Sequence, residues 1–492
     1  MSAVAIGFIV YLLVILVVGI MTAHLNKSLP DYLLAGRRLG PWVVAFSERA
    51  SGESGWMILG LTGLAYASGL GDPTGTRLQP AFWTGIGGVT GVISAWLLVA
   101  RRLREESERL GALTLPRFLE LRFRGQDTTI RFVATGIIAF CFTFYIAAQF
   151  DAAGKSLQQT FGWAHLAGVM VGAAIIVFYT IMGGFFAVAW TDFFQGWIMI
   201  MTLVLLPLVT LFHLGGVEGL SEKIRAIDPQ LLSLGGGRSG WTLIAGILGG
   251  FGVGIGYLGQ PHLMARYMSI RSKEDVKVAR GIAIVWSFFS YGGAVLMGLV
   301  ALAYFGGGYF DDPERMMPEL AVTIFPAWFA GILISGALAA MMSTADSQLL
   351  VTTSSVSEDV YHASLHPEAE QKHLLLVSRI VTLIIGLFAI ALSQLPQSIF
   401  DKVLFAWGGL GAAFGPTLVL TLWWRGTTRN GVLAGMLTGF LTVVIWDNIP
   451  WGSHLYSLVP GFLLAGTATV VGSLLDRGGA QKVQATTGEQ VG

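Results

Sequence analysis

The stretch Ser47-Glu48-Arg49-Ala50-Ser51-Gly52-Glu53-Ser54-Gly55-Trp56 sets three ionisable side chains and two glycines inside an apolar segment. Near a bilayer midplane each such charge costs roughly 2.5–3.5 kcal/mol, so it persists where it faces water or an opposite charge. Gly52 and Gly55, with Ser47, Ser51 and Ser54, weaken the helix there and supply local hydrogen-bond partners. Unwinding would free carbonyls for a hard cation and turn a positive helix end towards a carboxylate. Arg49 and Glu53, four apart, can neutralise each other on an intact helix. Two roles are open for Glu48, Arg49 and Glu53: a structural ion pair, or coupling groups in ion and substrate handling. A second break, Gly249-Gly250-Phe251-Gly252-Val253-Gly254-Ile255-Gly256-Tyr257-Leu258-Gly259-Gln260-Pro261-His262, follows about five apolar segments later. Paired interruptions in two halves are the sequence pointer to a secondary transporter.

A third run, Ala340-Met341-Met342-Ser343-Thr344-Ala345-Asp346-Ser347-Gln348, gathers hydroxyls and a carboxylate within about one helical turn. It reads as a cation site, against the alternative that each hydroxyl bonds the carbonyl one turn back. Asp192 is another acid at membrane depth. It either joins the hydroxyl cluster or caps a helix N-terminus. Tyr145, Gln149 and Asp151 share one span, and Asp151 with Lys155 is expected to form a salt bridge near the interface. Of the eight histidines, only His262 falls in a candidate site, which argues against a haem or quinone enzyme. No repeated filter ring suggests a channel.

The elements that must position these groups are helical spans. Of 492 residues, 54% are hydrophobic and 12% charged, a composition of polytopic helical membrane proteins. Apolar runs approach 20 residues, too long for barrel strands. The single Cys141 excludes a disulfide frame and a cysteine-based metal site. About 13 spans are expected, near 3–22, 41–70, 79–100, 128–155, 165–183, 188–213, 239–265, 279–305, 319–355, 374–393, 400–424, 431–448 and 455–475. Lys27, Arg37 and Arg38, then Arg101 to Arg124, then Arg266 to Arg280, then Arg425 and Arg429 fall in alternate loops. The positive-inside rule thus places the N-terminus outside and the C-terminus in the cytoplasm, as an odd span count requires. Residues 1–476 form one transmembrane domain, and 477–492 read as a disordered cytoplasmic tail.

These motifs resemble those of the sodium/solute symporter family over about residues 5–475. The likeness rests on Ser51…Ser54-Gly55-Trp56, Leu113-Thr114-Leu115-Pro116-Arg117-Phe118, Gly183-Gly184-Phe185…Ala187-Val188-Ala189-Trp190-Thr191-Asp192, Gly256-Tyr257-Leu258-Gly259-Gln260-Pro261-His262, Met342-Ser343-Thr344 and Ala406-Trp407…Gly411-Ala412-Ala413-Phe414-Gly415-Pro416. The resemblance implies an all-α fold with a five-plus-five inverted repeat like the leucine transporter, the repeats spanning about 41–213 and 239–424. It implies no enzyme but a Na⁺-driven symporter in the bacterial inner membrane, taking up proline or a related amino acid. A main Na⁺ site would use the carbonyls of Ala50, Glu53 and Ala340 and the hydroxyls of Ser343 and Thr344. A second would use Ser343, Asp346, Ser347 and Asp192. Substrate would lie among Ser54, Trp56, Tyr145, Tyr257, Pro261, Gln260 and Trp407. The partners implied are a small-molecule substrate and the lipid bilayer, with no nucleic acid; oligomeric state is left open. The chain departs from proline-carrying members at Gly52, where they have an aspartate, and at Glu53, Glu48, Arg49 and Val253. Proton coupling through Glu53, another solute such as a sugar or carboxylate, and a transporter-like solute sensor are the alternatives.

Overall fold

A computed structural model describes residues 3–23, 29–123, 128–366 and 368–476. The tail expected at 477–492 lies outside the described residues. Those described are all-helical, apart from one isolated bridge between Leu39 and Ile270. Ten of the helices are long and apolar enough to cross a membrane by length and composition. Three more, Val4–Gly19, Trp56–Ser68 and His165–Phe178, are apolar but shorter, so the expected count of 13 is not reached by long helices alone.

Both interruptions are present. The Pro41–Gly52 helix ends at Glu53, which leaves the helical region (φ −110°, ψ 50°), and helix resumes at Trp56. Gly240–Ile255 passes through the short turn Gly256–Gly259 and an extended Gln260 into Pro261–Ser269. Proline opens that last helix at the position where its missing N–H costs nothing. A Cβ on Gly256 would lie 2.0 Å from the Trp407 indole nitrogen, so glycine lets the two segments touch. The spans expected at 165–183 and 188–213 are two helical stretches that follow each other within His165–His213 and meet at a kink at Gly184 (φ 58°).

The broken segments are held between two latched ends. At the Arg-rich end, Arg37 donates to the Met268 carbonyl at 2.7 Å and the Ala112 carbonyl at 2.6 Å. Burial pushes its guanidinium down to about 10. Arg104 donates to the Ile270 carbonyl at 2.5 Å, and the Arg271 amide to the Leu39 carbonyl at 2.9 Å. At the opposite end the expected Asp151–Lys155 pair does not form. Asp151 accepts from Lys402 at 2.6 Å and meets His165 at 2.9 Å. Lys155 donates to Glu314 at 2.5 Å and Asp312 at 2.9 Å. Glu314 in turn accepts from the Ile399 and Phe400 amides, each at 3.1 Å, and so closes the start of Ile399–Trp423. Charges distant in sequence outcompete the pair four residues apart because the latter faces two different neighbours.

Ala81–Ala95 and Gly240–Ile255 meet backbone to backbone: a Cβ on Gly254 would stand 1.9 Å from the Gly87 carbonyl oxygen. Small residues permit such close crossings in membranes. Gly254→Ala is therefore expected to lose roughly 1–3 kcal/mol of stability. Gly281→Ala, where a Cβ meets nothing within 4 Å, should be neutral or slightly stabilising. Thermal unfolding in detergent reads both, and equal melting temperatures would contradict the packing.

Candidate functional site

Interrupting a helix leaves its last carbonyls without intrahelical donors. Here each is answered from elsewhere in the chain. Ser343 Oγ donates to the Ala50 carbonyl at 3.0 Å and to that of Ala340 at 3.2 Å. Thr344 Oγ1 donates to the Ser51 carbonyl at 3.0 Å. Tyr257 OH and the Trp56 indole donate to the Gly52 carbonyl at 3.3 and 3.4 Å. Ser51 Oγ returns a bond to the Ser343 carbonyl at 3.1 Å. Ala50, Ala340, Ser343 and Thr344 are fully buried, and Glu53 stands at the break itself. The direct donors are neutral oxygens on two helices. That chemistry suits a hard monovalent cation, which would take the hydroxyl lone pairs while the hydroxyl protons turn away.

The charged patch occupies a second face of Pro41–Gly52. Arg49 bridges Glu48, with one contact at 2.6 Å, and Glu53 at 3.3 Å. Glu48 also accepts from the Trp96 indole at 3.1 Å and Tyr267 OH at 3.0 Å. Glu53 accepts from the Trp286 indole at 2.5 Å. The Arg49 guanidinium lies 4.9 Å from the Tyr257 ring centroid. Trp96, Tyr267 and Trp286 carried no signal in the sequence, since each reads as ordinary apolar filling.

A third face carries Ser47 and Ser51, which donate to Asp192 at 2.6 and 3.2 Å. Asp192 therefore joins the hydroxyl cluster and caps no helix. Arg266, expected in a loop, is fully buried and donates to Asp192 at 2.9 Å, to Ser47 at 3.1 Å and to Ser347. The signal that would have found it is Pro261, which opens a helix and carries Arg266 along its inner length. Ser347 donates to one Asp346 oxygen at 3.2 Å, while the other Asp346 oxygen and one of Asp192 have no donor. Glu48, Glu53, Asp192 and Asp346 are four buried carboxyls facing two guanidiniums, Arg49 and Arg266. Four against two leaves two negative charges uncompensated when all are ionised, and burial of that excess calls for cations or protons.

Between the two breaks lies a buried polar and aromatic cluster. Ser54 Oγ and Tyr145 OH are 3.4 Å apart, and the Gly55 amide donates to Gln149 at 3.1 Å. The Tyr257 and Trp407 rings meet edge to face at 4.7 Å, with Tyr145 at 6.4 Å from Trp407. Gln260 Nε2 donates to the Gly256 and Trp407 carbonyls at 3.1 Å each, and Trp407 donates to the Val253 carbonyl at 2.8 Å. Gln260 Oε1 has no hydrogen-bond partner among the described residues. Trp56 reaches past the cluster to Tyr291 and Phe400, each at 6.1 Å. Pro261 lines a different, small groove with Leu113 and Phe185.

Removing one partner of a buried ion pair strands the other, at about 3–5 kcal/mol. Arg49→Met should lose about that much stability in denaturant unfolding, and Glu48→Gln added to it should recover part. Equal losses in the single and double variants would show that the two side chains are not energetically coupled.

The profile of the sodium:solute symporter family matches residues 32–439. The chain is 38% identical over 485 residues to the sodium/proline symporter of Escherichia coli (strain K12), covering 97% of this chain and 94% of that one. It is 38% identical over 472 residues to a high-affinity proline transporter of Bacillus subtilis (strain 168), covering 95% and 97%. Among solved structures, a Na⁺-coupled sialic acid symporter in a substrate-bound outward-open state superposes with a TM-score of 0.80 at 20% identity, covering 96% of this chain and 98% of that one.

Proposed function

This chain belongs to the sodium:solute symporter family, a multi-pass membrane protein, and on that premise we propose that it couples inward Na⁺ movement to uptake of proline or a related amino acid. One observation carries the reading: Ser343 and Thr344 of Ala327–Ser354 bind the freed carbonyls of Ala50 and Ser51 across the first break. Na⁺ is cargo here. It would be held by the carbonyls of Ala50, Glu53 and Ala340 and the hydroxyls of Ser343 and Thr344, replacing bonds that these groups now make to each other. Gripping both helices from one point, the ion favours the arrangement in which the cluster is formed. Linkage then makes Na⁺ strengthen substrate binding and substrate strengthen Na⁺ binding equally. The membrane potential adds about 2.3 kcal/mol per charge per 100 mV.

The substrate would lie among Ser54, Tyr145, Tyr257, Gln260 and Trp407, with Trp56 and Pro261 at the margins. The names of the relatives support proline. The orphaned Gln260 oxygen would accept from a substrate ammonium. Asp192, Asp346 and Ser347 are the proposed second Na⁺ site. Arg266 already donates to Asp192 and Ser347, so a second ion would have to share them, and the coupling role falls to the main site. The repeats at 41–213 and 239–424 would carry one break each, with the N-terminus outside and the Arg-rich end in the cytoplasm of the cell bounded by this inner membrane. The buried excess of carboxyls favours one alternative driver, a proton on Glu53.

In proteoliposomes, labelled proline should enter on an inward Na⁺ gradient and not in potassium alone. Ser343→Ala and Thr344→Ala should each weaken apparent Na⁺ affinity about tenfold or more, the worth of one bond to a charged group. Unaltered Na⁺ dependence in both variants rejects the main site. Uptake that follows a pH gradient without Na⁺ and disappears in Glu53→Gln selects the proton. Trp407→Ala should raise the KM for proline about tenfold through lost ring contact, and an unchanged KM would remove proline from the cluster.

A further inference from the structure

One crevice is lined mostly by charged side chains. It lies at the Arg-rich end, has a volume of about 910 Å³, and is walled by the Arg101–Arg109 helix, the start of Asp275–Phe305 and the end of Ile399–Trp423. Its charge is one-sided. Arg101 and Arg109 are spoken for by Glu105 and Glu106 at 3.2 and 2.6 Å. Among the described residues, Arg122, Lys273, Lys277, Arg280 and Arg425 also line it and, like Arg102 at its rim, make no ion pair, while Glu274 is the one acid on its walls without one. Six cations without an acid partner around one crevice repel each other, and burial has already pushed Arg122 down from its ordinary value. Apart from Arg102, none of them donates a side-chain hydrogen bond to another described residue.

The mouth is of a different kind. Leu97 is 51% exposed and Trp423 49% exposed, both on the wall of the crevice and both on spans that cross the apolar belt. Arg102 stacks on the Trp423 ring at 3.5 Å and donates to the Leu422 carbonyl at 2.9 Å, which pins it at the rim. Tryptophan of this kind sits at the level of lipid headgroups. An apolar flank beside a cationic floor fits a molecule with both characters.

We infer that this crevice binds the phosphate headgroup of an anionic phospholipid, with its acyl chains along Leu97 and Trp423. Guanidiniums supply paired donors to phosphate oxygens and the lysines supply point charge. Basic pockets between spans recognise such headgroups by this combination. The occupant would join three elements, drawn from both halves of the chain, at the end where Arg37 and Arg104 hold the loops shut.

The test uses delipidated protein in detergent, with retained lipid read by native mass spectrometry and stability by thermal shift. Phosphatidylglycerol should raise the melting temperature and leave bound adducts, and phosphatidylcholine should do neither. Arg122→Gln/Lys277→Gln/Arg280→Gln should bind phosphatidylglycerol about a hundredfold more weakly, at ~1 kcal/mol for each cation removed. Arg122→Lys/Arg280→Lys should retain most of the binding. Raised salt should weaken it in the wild-type protein, which tests the charge dependence even where the triple variant does not fold. Undiminished binding in the triple variant, or indifference to salt, overturns the site. An equal shift with inorganic phosphate alone overturns the lipid in favour of a soluble anion.

Discussion

Every feature of the site follows from one constraint: a backbone carbonyl inside a membrane must find a donor. Breaking Pro41–Gly52 at Glu53 leaves the carbonyls of Ala50, Ser51 and Gly52 without their helical partners. Ser343, Thr344, Tyr257 and Trp56 supply the donors. Two of those four come from Ala327–Ser354 and one from the turn of the second break. The interruption is therefore also the joint of the molecule, since it ties three segments through bonds that a cation can exchange with. A continuous helix would satisfy its own carbonyls and hold nothing else.

The charges around this joint are arranged by the same helix. Its three faces carry Ala50 towards Ser343, the Glu48–Arg49–Glu53 group towards Trp96 and Trp286, and Ser47 with Ser51 towards Asp192 and Arg266. Indole and phenol donors surround the carboxylates of the second face, so those groups are satisfied without water. The third face is less complete, for Asp192 and Asp346 each keep an oxygen with no donor. The two faces thus differ in how fully their carboxylates are answered by donors.

Much of this was legible beforehand. Gly52 and Gly55 with their serines, and the glycine run ending at Gln260 and Pro261, mark the two breaks because glycine and proline act locally on the backbone. The hydroxyls of Ser343, Thr344 and Ser347 were legible as a cluster because helical spacing alone puts them together. Arg266 was not. It follows an apolar run, and a hydropathy reading ends the span there. Asp151 and Lys155 misled for the complementary reason: four-residue spacing allows a pair but cannot weigh it against Lys402 and Glu314, which arrive from far along the chain.

Composition and local backbone chemistry by themselves thus determined an all-helical membrane chain, two broken spans, a cluster of hydroxyl and carboxyl oxygens and an Arg-rich end. These properties depend on residue type and on spacing of a turn or less, which a linear chain displays in full. Only the tertiary structure decided the partners: Arg266 with Asp192, Lys402 with Asp151, Trp286 with Glu53, and Ser343 with the carbonyl of Ala50. A buried charge or carbonyl takes whichever opposite group the packing of distant helices brings within about 3 Å, and that distance is set by the whole fold.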